Sequence, residues 1–420
     1  MKKKIVAMLC LVTVLFTAVA VSIIPTSAAG YWFDMDPVED ADYSFAVLGD
    51  PQYATYHATK SNLGNLDKLF TWILDNKETR NIQYVFGLGD SVQSMTTYEA
   101  FRNPPEWDLI SAQYARLNGN IPYGVVRGNH DDEAGYHEHV CTEYYKSQME
   151  GFFFDPTKPV TLGNSMSNSY QKIEIGNHKY LMLNLDFRVT PESLAWANDV
   201  IYEHYEYKVI ISTHAYIDHL GEFYKGDVGS SNVDNTVLEW VAFDGEYLWE
   251  NLFSRHDNVF MVLCGHLGGG GPVVQTRKAE AYGNEVIEIL VAPDAYEKDN
   301  PCGLVLMLNF TEGAQKIEIE YYSPSKGKYL KENNYPWMLT LPEGMLPIFD
   351  PTPVSVETEV TTERADSTDT TQETNTEAVT EGVSEKETDS NGLVIVLCSV
   401  LGGVVALLLI CLIVWKAKKK

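Results

Sequence analysis

The first part of the chain alternates short apolar runs with longer segments in which apolar residues recur every three or four positions. Residues 62–80 place leucines and aromatics at that spacing, which is typical of an amphipathic helix. Residues 98–117 are predicted to be largely helical, with a break at Pro104-Pro105 because proline interrupts helical hydrogen bonds. The apolar runs of strand length are residues 43–48, 82–88 and 121–126. This order predicts a β-α-β-α-β unit whose strands end at one common edge.

The pattern then changes to a hairpin and longer connections. Two runs, residues 169–175 and 179–185, flank Gly176-Asn177, a dipeptide typical of a β-hairpin turn. Residues 215–235 are rich in Gly, Asp and Ser and are predicted to form a long loop, a length that is more often functional than idle. The remaining predicted elements are helices at 191–205 and 236–256, strands at 208–212 and 258–263, and three or four strands within 273–322.

Both ends of the chain carry apolar segments next to lysine clusters. Residues 1–29 have the basic, apolar and small-residue sections of a signal peptide, with an uncleaved membrane anchor as the alternative. Residues 393–415 contain no charge and precede the basic residues 416–420, which predicts a transmembrane helix with a cytoplasmic tail. Residues 351–392 are rich in Thr, Glu and Ser and are predicted to be a disordered stalk. The folded domain is therefore expected to be residues 30–350, outside the cell.

Charge and cysteine content narrow the class of protein. Acidic residues outnumber basic ones by 58 to 31, a formal net charge of −27. Such a surface repels polyanions, so no nucleic acid partner is expected. Only Cys141, Cys264 and Cys302 lie in the expected domain. Cys264 ends an apolar run and is predicted to be a small buried hydrophobe, whereas a bond between Cys141 and Cys302 stays open.

Polar side chains of the kinds that bind metals follow five of the predicted strands. Because strand ends can converge on one edge of a sheet, these side chains are candidates for a single metal site. A carboxylate shared by two divalent ions would clamp a phosphate and lower the pKa of a bound water. The residues in question are Asp50 and Gln52, Asp90, Asn129 with His130 and Asp131, His214, and His266.

These stretches, taken in order, resemble the motifs of the calcineurin-like metallophosphoesterases. That family's pattern reads D-x-H, G-D, G-N-H-D/E, a lone H, and G-H-x-H. The resemblance covers residues 43 to about 271, and it implies an α/β fold, a four-layer αββα sandwich of two mixed sheets. The corresponding residues are Asp50-Pro51-Gln52, Gly89-Asp90, Gly128-Asn129-His130-Asp131, His214, and Gly265-His266-Leu267-Gly268.

The resemblance also implies a role for each residue. Asp90 would bridge two metals, and Asp50 with Gln52 would hold the second of them. His130 would protonate the leaving oxygen or steady the transition state, and Asp131 would orient it. The first metal would be completed by Asn129, His214 and His266.

This chain departs from the family pattern twice, and both departures fall on the second metal. Gln52 and Gly268 stand where the family has histidines, and an amide oxygen is a weaker and harder ligand than imidazole. Two divalent ions are still expected, drawn from Mn, Fe, Zn, Mg or Ca. One would be firm, and the other weak with a preference for Mn²⁺, Mg²⁺ or Ca²⁺.

The sequence thus predicts a cell-surface, membrane-anchored, metal-dependent phosphoesterase that hydrolyses phosphate mono- or diesters of a small substrate with metal-activated water. Two alternatives stay open. One is a surface binding or adhesin module on a phosphoesterase scaffold whose metal site has partly degraded, as Gln52 and Gly268 suggest. The other is a diesterase for cyclic nucleotides or phospholipid headgroups.

Overall fold

Two mixed β-sheets form the body of the protein in the computed structural model. It describes residues 31–38, 41–93, 104–157, 164–176, 178–225, 244–267, 271–293, 298, 302–311, 315–331 and 338–341. The first sheet runs in the order β1-β14-β13-β12-β2-β3-β4, and β15 pairs with β13. Its strands are β1 (Tyr31–Phe33), β2 (Tyr43–Leu48), β3 (Ile82–Gly87), β4 (Tyr123–Val125), β12 (Val305–Thr311), β13 (Lys316–Ser323), β14 (Lys328–Lys331) and β15 (Met338–Thr340).

The second sheet runs in the order β10-β11-β9-β8-β7-β6-β5. Its four central strands, β11, β9, β8 and β7, are parallel neighbours, and the flanking pairs are antiparallel. In the first sheet, β2, β3 and β4 are the parallel neighbours. The strands of the second sheet are β5 (Gly151–Phe152), β6 (Ser169–Ile175), β7 (His178–Asn184), β8 (Lys208–Ser212), β9 (Val259–Cys264), β10 (Val273–Lys278) and β11 (Glu285–Leu290).

The described helices follow the strand ends. Helix α2 is preceded by a short π-helical stretch at Ala58–Asn62. The α-helices are α1 (Gln52–His57), α2 (Leu63–Asp75), α3 (Pro104–Ala115), α4 (Glu133–His139), α5 (Glu143–Gln148), α6 (Pro191–Glu203) and α7 (Gly245–Asn251).

Strand alternation divides the apolar residues among three cores. On β2, Phe45 and Val47 belong to a core shared with the second sheet, whereas Ala46 and Leu48 belong to a core shared with α2 and α3. On β8, Ile210 faces the shared core, and its neighbours Val209 and Ile211 pack with residues of α6 and α7. Because side chains alternate along a strand, each sheet has one face toward the other sheet and one toward helices. The expectation of two mixed sheets in an α/β fold is confirmed.

Several predicted boundaries differ from the observed ones. The helix expected at residues 62–80 ends at Asp75, where a turn leads to Asn81 with a φ of 46°. The helix expected from residue 236 begins at Gly245, because Asp244 is extended and its side chain caps Tyr247 N–H. Helices α4 and α5 were not predicted, although Asp132 and Thr142 cap them in the same way.

The cysteines answer the disulfide question for the described chain. Cys141 and Cys264 are free thiols, so Cys141 is not bonded to Cys302, and all three side chains are buried. Cys141 lies in the core between the first sheet and its helices, and Cys302 lies between the two sheets. Cys264 is fully buried, as predicted.

The predicted segments at the chain ends lie outside the described residues. These are the signal peptide at 1–29, the stalk at 351–392 and the span at 393–415. Within the part of the chain that the structure describes, no helix has the length and apolar character needed to cross a membrane.

A buried ion pair links the turn after α2 to the far side of the first sheet. Arg80 Nη1 donates to Glu320 Oε2 at 2.6 Å, and the two side chains are 8% and 1% exposed. Asn309 Nδ2 donates to the same carboxylate oxygen at 3.0 Å, and Val38 N–H donates to Oε1 at 3.0 Å. This network ties strands β12 and β13 to the segment that precedes β2.

Replacing Arg80 with methionine should lower the free energy of unfolding by about 3–5 kcal/mol, because Glu320 would stay buried without its cation. Denaturant unfolding of the full-length protein measures the change. The double variant Arg80→Met/Glu320→Leu should recover most of the loss.

A matched control is the exposed pair Arg116–Asp67, at 3.0 Å with side chains 31% and 54% exposed. Asp67→Asn should change the stability by no more than about 1 kcal/mol. An equal loss in both single variants would contradict a special role for burial.

Candidate metal centre

The predicted ligands lie at the carboxyl ends of parallel strands in both sheets. Asp50 follows β2 and Asp90 follows β3 in the first sheet, while His214 follows β8 and His266 follows β9 in the second. Asp90, His214 and His266 each present one ligand atom, and these atoms lie within 4.8 Å of one another. Two sheets therefore contribute to one cluster, and it is one that could hold a metal ion.

Three of these residues have a strained backbone. Asp50, Asp90 and His266 have φ values of 37°, 48° and 73°, in the region that non-glycine residues rarely adopt. Such conformations cost on the order of 1–3 kcal/mol each and persist where the surrounding structure enforces them.

Glycines next to the ligands allow the close approach of these segments. A Cβ atom on Gly128 would lie 2.2 Å from Asp90 Oδ1, and one on Gly265 would lie 2.2 Å from Asp50 Oδ1. Any larger residue at either position would push a carboxylate out of the cluster. The Gly-Asn-His-Asp and Gly-His motifs thus need their glycines for space.

His214 lies at the centre of the cluster and is fully buried. Its Nδ1 donates to Leu88 O at 2.7 Å, which directs Nε2 toward Asn129 Oδ1 at 3.0 Å and Asp90 Oδ2 at 3.3 Å. Burial alone would lower the pKa of His214, but the Asp90 carboxylate outweighs it and raises the pKa to about 10. The oxygen atoms of Asn129 and Asp90 therefore both lie close to His214 Nε2, and they favour a positive charge at that position.

Asp90 carries the matching negative charge. Burial raises its pKa, but the positive charge of His214 outweighs that effect and lowers the pKa to about 2. The backbone N–H of His130 donates to Asp90 Oδ1 at 2.8 Å, so only Oδ2 points to the imidazole of His214. Asp90 is 2% exposed and stays ionised.

His266 has a buried ring nitrogen that is available to a metal ion. Its backbone N–H donates to Asp50 Oδ2 at 2.8 Å, while its side-chain Nε2 is buried and has no hydrogen-bond partner among the described residues. Burial, together with the nearby charge of His214, lowers the pKa of His266 to about 3, so the imidazole is neutral. A buried neutral imidazole with a vacant lone pair is what a divalent cation requires.

Gln52 lies beside Asp90, as the first motif predicts. With its nitrogen toward Asp90, the amide donates to Asp90 Oδ2 at 2.9 Å and to Asp90 O at 3.3 Å. A half-turn of the amide presents its oxygen at the same place.

Asp50 is fully buried, and its Oδ1 lies 3.7 Å from His214 Nδ1. Position 268, where the family has a second histidine, lies outside the described residues.

The carboxylate of Asp131 contacts backbone N–H groups in this structure, and its expected role in orienting His130 stays a prediction. Its Oδ1 accepts from Ser91 N–H at 2.8 Å and Val92 N–H at 3.2 Å, and its Oδ2 accepts from Gly128 N–H at 2.9 Å. The carboxylate is thereby committed to the loops that follow β3 and β4. Burial, reinforced by the charge of Asp90, raises the pKa of Asp131 to about 7.

The ring of His130 is held by a backbone group instead. His130 Nδ1 donates to Gln93 O at 2.8 Å. The side chain is half-buried at the mouth of the cluster. This leaves the other ring nitrogen, Nε2, for a group that enters from outside.

An apolar wall borders the histidines of the cluster. The ring of Phe187 lies 5.6 Å from that of His214, and the ring of Tyr224 lies 5.0 Å from that of His266. Phe187, Ala215 and Tyr224 are buried together, with Leu267 packed against them. No repeating pattern of residues predicted this wall, because Phe187 and Tyr224 lie in irregular segments.

The donor set fits a divalent cation. The Asp90 carboxylate, the Asn129 amide oxygen and two imidazoles converge, with Asp50 beside His214, and one imidazole nitrogen there has no hydrogen-bond partner among the described residues. The other histidines near the motifs are engaged in packing. His137 Nε2 accepts from Met166 N–H at 3.0 Å, and the ring of His139 stacks on Trp107 at 5.9 Å.

Comparison with known proteins identifies relatives of similar and of much greater length. A protein of Bacillus subtilis (strain 168), the uncharacterized protein YvnB, is 26% identical over 310 residues, which covers 72% of this chain and 21% of the relative. The match thus spans about a fifth of that relative's length.

Two solved structures are also similar. One is GAP50, the anchor in the inner membrane complex of Plasmodium, with a TM-score of 0.39, 14% identity, and coverage of 73% of this chain and 95% of that one. The other is Yfce, a phosphoesterase from E. coli, with a TM-score of 0.28, 11% identity, and coverage of 69% and 98%.

A family model provides the assignment. The model of the calcineurin-like phosphoesterases matches residues 43–295, which include every residue of the cluster and both sheets' parallel strands. The motif resemblance noted in the sequence is therefore confirmed. The chain belongs to the calcineurin-like phosphoesterase family.

Proposed function

We propose that this protein is a metal-dependent phosphoesterase that hydrolyses phosphate mono- or diesters of a small substrate. The observation that carries the proposal is the convergence of Asp90, His214 and His266 from two sheets on one point, within 4.8 Å. Family membership supports phosphoester hydrolysis in general.

Two divalent cations are expected, and the donors differ between them. Asp90, Asn129, His214 and His266 would hold the first, while Asp50, Gln52 and a shared Asp90 would hold the second more weakly. When bound, such cations neutralise phosphate charge and lower the pKa of a coordinated water.

The chain's own residues handle the leaving group. Water attacks phosphorus, the bond from phosphorus to the ester oxygen breaks, and that oxygen keeps the electron pair. In its protonated form, His130 donates to Gln93 O from Nδ1 and can give the proton on Nε2 to the departing oxygen. Asp90 Oδ1 accepts from the backbone N–H of His130 at 2.8 Å, and this hydrogen bond fixes the position of the His130 backbone beside the cluster. Phe187 and Tyr224 are buried against the rings of His214 and His266 and form an apolar boundary on that side of the cluster.

The setting proposed for this activity is the outer face of a cell membrane. It is supported by the sequence pattern alone: a signal peptide at 1–29, the domain at 30–350, a stalk at 351–392, a span at 393–415 and a basic tail at 416–420. The net charge of −27 favours a small phosphorylated substrate over nucleic acid.

Replacing Asp90 with alanine should abolish hydrolysis of p-nitrophenyl phosphate, because the carboxylate common to both metals is lost. Steady-state assays with added Mn²⁺ measure the effect, and Asp67→Asn, an exposed carboxylate variant, is the control. Circular dichroism checks that the fold is retained. A wild-type protein that stays inert on mono- and diesters at every Mn²⁺ concentration would point instead to a binding module on this scaffold.

Calorimetric titration of the metal-free protein with Mn²⁺ should show one tight and one weak site. Gln52→His should tighten the weak site by about tenfold or more, or ~1.4 kcal/mol, because the amide beside Asp90 would become an imidazole. Two equally tight sites in the wild type would contradict the weak role assigned to Gln52.

His130→Ala should lower kcat by roughly 10²-fold or more while leaving the metal content close to that of the wild type. The reason is that His130 contributes its ring nitrogen to the leaving group and only its backbone N–H to Asp90. Metal analysis and kinetics on the same sample separate the two effects. Loss of both metals in this variant would show that His130 is a ligand.

A further inference from the structure

The ring of His130 depends on a loop, residues 91–93, that two buried carboxylates hold by its backbone. Asp131 Oδ1 accepts from the N–H groups of Ser91 and Val92. The next N–H along the chain, that of Gln93, donates to Glu106 Oε2 at 2.7 Å. Three consecutive backbone donors are thereby fixed, and the carbonyl that follows them accepts from His130 Nδ1.

Glu106 is placed unusually for its residue type. It lies in the first turn of α3 and is 0% exposed, although glutamate is seldom fully buried without a partner. An enclosed carboxylate costs several kcal/mol unless its oxygens are hydrogen-bonded, so the bond from Gln93 N–H is strong and short. Helix α3 thus reaches across 13 residues to hold the loop.

The consequence is geometric. Fixing the N–H of Gln93 limits the rotation of the residue, and the direction of its carbonyl is limited with it. The carbonyl in turn selects the tautomer and the tilt of the His130 ring, the role that the motif assigned to Asp131. The side chain of Gln93 has no part in this relay, since both bonds use backbone atoms.

We propose that Glu106 is a positioning residue for leaving-group protonation, acting on His130 through the backbone of Gln93. The inference rests on the proposed function, because it assumes that His130 serves the leaving oxygen. A purely structural Glu106 would stabilise the start of α3 and would not affect one class of substrate more than another.

Leaving-group dependence separates these two roles. Phenyl phosphate needs a proton on its departing oxygen far more than p-nitrophenyl phosphate does, because phenoxide is the stronger base. Glu106→Ala should lower kcat for phenyl phosphate by about 10- to 100-fold with little change in KM, and should lower kcat for p-nitrophenyl phosphate much less. Methyl aryl diesters replace the monoesters if the wild type prefers diesters.

Two variants serve as comparisons in the full-length protein. Glu106→Gln keeps an acceptor oxygen for Gln93 N–H and should restore most of the activity on phenyl phosphate. Glu320→Gln weakens another buried carboxylate network, in which Glu320 is paired with Arg80 and accepts from Val38 N–H. It should lower the melting temperature and leave the ratio of the two substrates unchanged.

A spectroscopic readout does not depend on turnover. In a long-range ¹H–¹⁵N spectrum of the metal-free protein, with His130→Ala used for assignment, His130 should be held in the Nδ1–H tautomer. In Glu106→Ala the signal should shift toward a mixture of tautomers, and in Glu106→Gln it should stay close to that of the wild type.

The outcomes distinguish the two hypotheses. An inactive wild type would overturn the proposed function, whereas the spectrum would still report on the relay. An active wild type, in which Glu106→Ala slows both substrates equally and leaves the His130 signal unchanged, would overturn the positioning role. If Glu106→Ala does not fold, Glu106→Leu replaces it, because leucine fills similar space without an acceptor for Gln93 N–H; equal slowing of both substrates by that variant would overturn the positioning role.

Discussion

Two enclosed carboxylates, Asp50 and Asp90, flank the imidazole of His214 in the interior, and the need to balance their charge shapes the residues around them. The two carboxylates are 0% and 2% exposed, and an enclosed charge without compensation costs several kcal/mol. Backbone N–H groups of His130 and His266 supply hydrogen bonds, and in the metal-free protein the imidazolium of His214 supplies one positive charge. A divalent cation bound here would take the place of the proton on His214 Nε2 and would supply two positive charges instead of one. The strained strand ends and the tightly spaced glycines bring both carboxylates to this imidazole.

The division of labour between the sheets follows from the same constraint. The first sheet supplies both carboxylates and the Gly-Asn-His-Asp loop, and the second supplies the imidazoles. Neither sheet alone has a complete set of ligands, so the cluster exists only when the shared apolar core holds the sheets together. The stability of that core and the geometry of the site are therefore one property rather than two.

Much of this arrangement was readable from the sequence, and the part that was not has a common cause. Apolar runs ending in Asp50, Asp90, His214 and His266 marked the strand ends, because strand period and motif chemistry are local signals. The backbone partners of Asp131 were not foreseen and Glu106 was missed, since both carboxylates bond to backbone groups distant in the chain. Every residue except proline carries the same backbone N–H group, so the residue types alone do not show which distant side chain such a group will bond. Helix α7 begins nine residues later than predicted for a local reason, the cap at Asp244.

The enclosed thiols have a practical consequence. Burial raises the pKa of Cys141 and Cys264 well above the usual range, so neither is a thiolate at neutral pH. Thiol-directed alkylating reagents should therefore react slowly with both side chains while the protein stays folded, and rapid labelling would report the opening of the core around them.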